Sequence, residues 1–94
     1  MSYGWVIDRD VTGGDAAGTI GPRGIEPRIK ERLDNNRGVP FRIYDDDGEL
    51  YYTGRLYTDD PDSEDIFKPL DNFGEPNAGC TRIDLLINGK WETA

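Results

Sequence analysis

The stretch Val39-Pro40-Phe41-Arg42-Ile43-Tyr44-Asp45-Asp46-Asp47-Gly48-Glu49-Leu50-Tyr51-Tyr52-Thr53-Gly54-Arg55-Leu56-Tyr57 decides the fold. Two arms of alternating apolar and polar residues flank Asp47-Gly48, a dipeptide that suits the positive backbone angles of a two-residue hairpin turn. Such a turn sets Val39 opposite Leu56, Phe41 opposite Gly54, Ile43 opposite Tyr52 and Tyr44 opposite Tyr51. One alternation then accounts for both arms. Val39, Phe41, Ile43, Leu50, Tyr52 and Leu56 face a core, and Arg42, Tyr44, Tyr51, Thr53, Arg55 and Tyr57 take the other face, because side chains alternate across a pleated strand. Phe41 fills the space that Gly54 leaves.

Working outward, residues 3–9 read as a first strand carrying Trp5, Val6 and Ile7, and residues 19–23 as a short extended piece after a glycine-rich loop. Residues 27–36 read as a helix, since Pro27 suits a first helical position, Ile25, Ile29 and Leu33 recur every four residues, and Gly38 can cap its end. Its remaining face is mildly basic through Arg28, Lys30, Arg32 and Arg37. Residues 58–80 show no helix or strand period and contain Pro61, Pro69, Pro76, Gly74 and Gly79. They read as a long loop, pinned by Ile66, Phe67, Leu70 and Phe73. A strand over 81–87, with Ile83, Leu85 and Ile87 inward, turns at Asn88-Gly89 into Lys90-Trp91-Glu92. The expected fold is a single α+β domain over residues 1–94: a small, mostly antiparallel sheet of four to six strands with one short helix packed on it.

Ninety-four residues support one core, and ten aromatic residues argue for a folded chain despite 32% charged residues. No apolar run is long enough to cross a membrane, no secretory signal precedes Trp5, and Cys80 is the only cysteine. These features predict a cytoplasmic protein. The net charge of −8 is concentrated: residues 45–65 hold nine acids against Arg55 alone, and the remainder is neutral. An edge of that sign repels nucleic acid and acidic membranes and attracts basic protein surfaces or cations.

The chain has no histidine, which removes the usual general base at neutral pH and the commonest zinc ligand. Cys80 has no histidine partner and reads as a small packed residue. The run Asp45-Asp46-Asp47-Gly48-Glu49 fails the calcium-loop spacing, since alignment on Gly48 puts Ile43 and Gly54 at ligand positions. Gly13-Gly14-Asp15-Ala16-Ala17-Gly18 lacks the Gly-Lys-Ser/Thr ending of a phosphate loop. The sequence therefore nominates no catalytic residue, no metal ligand and no cofactor.

The segments Phe41-Arg42-Ile43-Tyr44-Asp45-Asp46-Asp47-Gly48-Glu49-Leu50-Tyr51-Tyr52 and Pro69-Leu70-Asp71-Asn72-Phe73-Gly74-Glu75-Pro76-Asn77-Ala78-Gly79-Cys80-Thr81 resemble a group of short acidic proteins of actinobacteria and their phages. The likeness spans the C-terminal two thirds, with Gly21-Pro22-Arg23. It implies a stand-alone cytoplasmic protein of the kind mobile elements carry, and it brings no assigned activity and no site residue.

The leading expectation is a non-enzymatic interaction module. Its acidic edge, Asp45, Asp46, Asp47 and Glu49 with Asp59, Asp60, Asp62, Glu64 and Asp65, would meet a basic surface on another protein. Tyr44, Tyr51 and Tyr57 would add aromatic contact area. A narrower form is an inhibitor that imitates the charge of nucleic acid. The alternative is a divalent-cation site in the acidic loop. Self-association, acidic edge against the basic helix of a neighbour, is a third case. Direct nucleic-acid binding and membrane binding are not expected.

Overall fold

The computed structural model describes residues 3–60 and 63–94. Six strands, β1 (Tyr3–Asp10), β2 (Ile20–Gly21), β3 (Val39–Tyr44), β4 (Leu50–Thr58), β5 (Arg82–Ile87) and β6 (Lys90–Thr93), form one sheet in the order β2-β1-β4-β3-β5-β6. Every neighbouring pair is antiparallel. This is the α+β class that the hairpin alternation predicts. The β5–β6 turn is also as expected: Ile87 pairs with Lys90, and Asn88 and Gly89 both take positive φ, 52° and 79°.

The central hairpin keeps the expected register along most of its length, with Val39 opposite Leu56, Phe41 opposite Gly54 and Ile43 opposite Tyr52. Phe41, Ile43, Tyr52 and Leu56 are buried as expected. The tip differs. The Glu49 carbonyl accepts from Asp45 N at 3.0 Å, the Asp45 carbonyl accepts from Gly48 N at 3.1 Å, and Gly48 has φ 78°, so the loop holds three residues rather than two. An odd loop shifts the pairing by one residue, and Tyr44 meets Leu50 instead of Tyr51. The buried residues farther down cannot slip without turning outward, so the mismatch is absorbed as a bulge at Tyr51. Tyr51 consequently packs against the core cluster instead of standing beside Tyr44 and Tyr57.

Residues 63–80 are not part of a long loop as the sequence suggests, and residues 61 and 62 of the expected loop lie outside the described residues. A helical run passes from a 3₁₀ turn (Glu64–Phe67) through a π-helical turn (Leu70–Gly74) into α2 (Glu75–Ala78), and Gly79 ends it in the left-handed conformation at φ 67°. Pro69 and Pro76 lack the N–H that a regular α-helix would use, so the run changes pitch around them rather than stopping. Ile66, Phe67, Leu70, Phe73, Ala78 and Cys80 join Trp5, Ile7, Phe41, Ile43, Ile83 and Leu85 in the main core. Ile87, expected inward, is 41% exposed because it lies at the outer end of β5.

α1 (Pro27–Asp34) packs on the opposite face, against β1 and β4, burying Ile29 and Leu33. A Cβ on Gly4 would stand 2.4 Å from Ile25 and 2.7 Å from Ile29, so glycine there sets how closely α1 approaches. Arg55 fastens the helix end. Its guanidinium donates to both Asp8 oxygens at 2.8 Å and to the Leu33 carbonyl at 2.6 Å. A β-bulge between Ile7 and Arg9 makes Asp8 the extra residue, the kind of irregularity that re-aims a side chain. Arg55→Lys keeps the charge and loses the fork, and is expected to cost about 1–2 kcal/mol in urea unfolding. An unchanged midpoint would show that these bonds contribute nothing net.

No helix among the described residues is long and apolar enough to cross a membrane.

Candidate interaction surface

The hairpin tip is built around one carboxylate. Asp45 Oδ1 accepts from the backbone N–H of Asp47 and of Glu49, both at 2.9 Å, which is how a short acidic side chain closes a turn upon itself. Asp45 is therefore used internally. Asp46, Asp47 and Glu49 are exposed, and among the described residues none of the three has a side-chain hydrogen bond or ion pair. The loop thus holds three unpaired carboxylates on a backbone fixed by four hydrogen bonds. Tyr51 sits beside them: the Asp45 carboxylate, followed by burial, raises its phenol above the ordinary value.

Next to the tip, on the face that α1 shares, two cations lie over aromatic rings. The Arg82 guanidinium is 4.0 Å from the Tyr44 ring centre and that of Arg42 is 3.9 Å from the Trp91 ring centre. Arg82 Nε also lies 3.2 Å from Asp84 Oδ1, close enough for an ion pair although not aligned as a hydrogen bond. Asp84 is buried and accepts from Thr93 Oγ1 at 2.8 Å. These stacks orient Arg42 and Arg82 flat on the sheet.

The other acidic group lies at the far end of β4, whose nine residues separate the two by about 30 Å. Its side chains are largely occupied. Arg28 donates to Asp59 at 2.7 and 3.5 Å, and the Tyr57 hydroxyl donates to Asp59 at 3.3 Å. The Arg28 hydrogen bond holds the Asp59 carboxyl below its usual range, and Asp59 in turn raises the Arg28 guanidinium. Arg32 lies 5.1 Å from the Tyr57 ring centre, so Tyr57 belongs to the α1 contact rather than to an open tyrosine surface. Asp65 accepts from Thr58 Oγ1 at 2.9 Å, and its own N–H donates to Ser63 Oγ at 3.1 Å, which caps the 3₁₀ turn. Asp60 N donates to Thr58 Oγ1 at 3.0 Å, Glu64 is exposed, and Asp62 lies outside the described residues.

The expected surface is thus two surfaces. Asp45, Asp46, Asp47, Glu49, Tyr44 and Tyr51 gather at one end, and Tyr57, Asp59, Asp60, Glu64 and Asp65 at the other. Among the described residues no three acidic or thiol side chains converge as a metal-ligand set. Cys80 is fully buried, and burial raises its thiol above the ordinary value.

Sequence reasoning missed Asp10. Its carboxylate accepts from Thr12 N at 2.9 Å, Ala16 N at 3.1 Å and the Thr12 hydroxyl, and so organises the glycine-rich loop. The only signal was a Asp-x-Thr pair opening a loop, which is common. A depression of about 410 Å³ opens beside it, between Thr12, Asp15, Tyr52, Phe73 and Asn77. The Thr12 hydroxyl leads the interactions that lower the Asp10 pKa. Its ionised form therefore adds stability that is complete above the unfolded value of about 3.9 and is lost as pH falls through the lower folded value. Asp10→Asn is expected to be less stable than the parent at neutral pH, with the gap closing below about pH 4. A gap independent of pH would contradict that role.

Fold and surface define a small α+β protein with a six-stranded antiparallel sheet whose acidic hairpin tip is braced from within. Compared with known proteins, the chain matches no family model, no curated protein and no solved structure.

Proposed function

We propose that this chain is a non-enzymatic, cytoplasmic interaction module that presents its hairpin tip to a basic surface on another protein. The observation that carries the reading is the contrast between the two acidic groups. Asp59 and Asp65 are engaged by the protein itself, whereas Asp46, Asp47 and Glu49 are exposed, unpaired and held on a hydrogen-bonded loop. Like charges so close repel one another, and among the described residues none of the three is held in an ion pair. A partner's lysines or arginines would relieve that repulsion, and Tyr44 with its stacked Arg82 would form the adjoining contact.

Imitation of nucleic acid is the less favoured form, since it calls for a continuous row of charge and the two acidic groups stand at opposite ends of β4. The contact is electrostatic at its rim, so it weakens with salt. A partner captured from the source cells on the immobilised protein is expected to elute as salt rises well past 0.15 M, where the screening length falls below about 8 Å. Retention independent of salt would remove the acidic tip as the working surface.

A further inference from the structure

We infer that the β6 edge is a self-complementary seam through which two copies of this chain join into one continuous antiparallel sheet. The seam is distinct from the acidic tip. β6 is the outermost strand of the sheet, all four of its residues are exposed, and among the described residues no strand pairs with its outer side. Among the described residues, two of the three large exposed apolar side chains, Trp91 at 37% and Ile87 at 41%, lie in the β5–β6 hairpin.

The hydrogen-bond pattern restricts how a second copy can dock. Ile87 and Lys90 close a two-residue turn, and Ala94 N donates to the Ile83 carbonyl at 3.0 Å. Lys90, Glu92 and Ala94 therefore direct their backbone groups toward β5. Trp91 and Thr93, one position out of step, direct theirs to the open side. A second β6 must pair outward residue with outward residue, which leaves two compact registers: Trp91 opposite Trp91 of the second copy, or Trp91 opposite Thr93 of the second copy.

Charge selects between them. With Trp91 opposite its own copy, Lys90 of each chain faces Glu92 of the other, twice, at the close non-hydrogen-bonded positions where cross-strand side chains interact most. The other register sets Glu92 against Glu92 of the second copy, which repels. Faces also match. Trp91 pairs with Leu86 and shares a face with Arg42, so the two tryptophans meet side by side, each beneath its own guanidinium. Lys90 and Glu92 lie together on the opposite face, where they pair with Ile87 and Leu85. The product is a twelve-stranded sheet related by a two-fold axis through Trp91.

The seam is small, so the dimer is expected at protein concentrations of roughly 10 μM to 1 mM. Sedimentation equilibrium across that range is expected to show a mass rising from 10.6 kDa toward twice that value. Lys90→Glu alone, or Glu92→Lys alone, places like charges opposite one another twice and is expected to weaken the dimer at least about tenfold. The double variant Lys90→Glu with Glu92→Lys restores both opposite-charge contacts and is expected to restore the dimer. All these positions are exposed, and circular dichroism will show the fold retained. A parent chain that stays monomeric throughout would overturn the inference. So would single variants that dimerise as the parent does, or a double variant that remains as weak as the single ones.

Discussion

Gly54→Ala is expected to be strongly destabilising, although it adds one methyl group. Gly54 lies in the central strand β4, with Ile7 of β1 on one side and Phe41 of β3 on the other. A Cβ there would stand 2.0 Å from the Val6 carbonyl oxygen and 2.6 Å from Phe41 Cζ. The first contact decides the size of the effect, because a backbone oxygen inside a paired strand cannot rotate away as a side chain can. β1 would have to separate from β4, or Phe41 would have to leave the core. Overpacking of this kind costs about 3 kcal/mol or more. For a chain of this length that lowers the thermal midpoint by roughly 12–24 °C. Gly74→Ala supplies the comparison. Its Cβ would meet only side chains, Ile43 at 2.8 Å and Leu70 at 3.3 Å, which can shift. Its loss is expected near 1 kcal/mol. Thermal unfolding that finds Gly54→Ala within a few degrees of the parent, or milder than Gly74→Ala, would contradict the packing around β4.

The second large effect is on binding rather than stability. Replacing Asp46, Asp47 and Glu49 together by Asn, Asn and Gln removes three charges and keeps the shapes. The loop is closed by Asp45 and by backbone bonds, none of which involves these three side chains. The variant is therefore expected to unfold at or slightly above the parent's temperature, since it loses like-charge repulsion. If the tip meets a basic surface, the same change is expected to reduce partner affinity by roughly a hundredfold, on the order of 1 kcal/mol for each lost charge contact. Asp45→Ala should differ in its effect on stability. It frees the Asp47 and Glu49 N–H groups and loosens the loop, so it weakens both the fold of the tip and the binding. Two variants within five residues thus separate a charge effect from a scaffold effect.

The parts of the fold that were legible in the sequence are those with a constant period. Alternation through Val39, Phe41 and Ile43, answered by Tyr52, Gly54 and Leu56, fixed the register because slipping by one residue would expose every buried side chain. Asn88-Gly89 was legible because few residues accept two successive positive φ angles. The tip was not, because Asp-Gly suits either a two-residue turn or the last step of a three-residue loop. Asp45 tips the balance by capping the longer one. The helical run over 64–78 escaped for a different reason. It passes through three helix types in fifteen residues, so no single period describes it. Ile66, Leu70, Gly74 and Ala78 do recur at every fourth residue, but Pro69 and Pro76 look like breaks when only the α-helix is considered.

The candidate surface was legible as composition and not as geometry. Nine acids in residues 45–65 are evident, but nothing in the sequence says that Arg28, thirty-one residues away, claims Asp59. Nor does it show that the bulge at Tyr51 turns that ring onto the core while Tyr57 goes to α1. Arg42 and Arg82 were visible, and their stacking on Trp91 and Tyr44 follows only once β5 is known to pair with β3.

The most direct test of the central claim is side-by-side capture from lysate of the source cells, with three baits: the parent, the tip variant Asp46→Asn/Asp47→Asn/Glu49→Gln, and the far-end variant Asp59→Asn/Asp60→Asn. One basic partner is expected on the parent and on the far-end variant, released by salt, and missing from the tip variant. A partner held equally by the tip variant, or no partner on any bait, would contradict that claim.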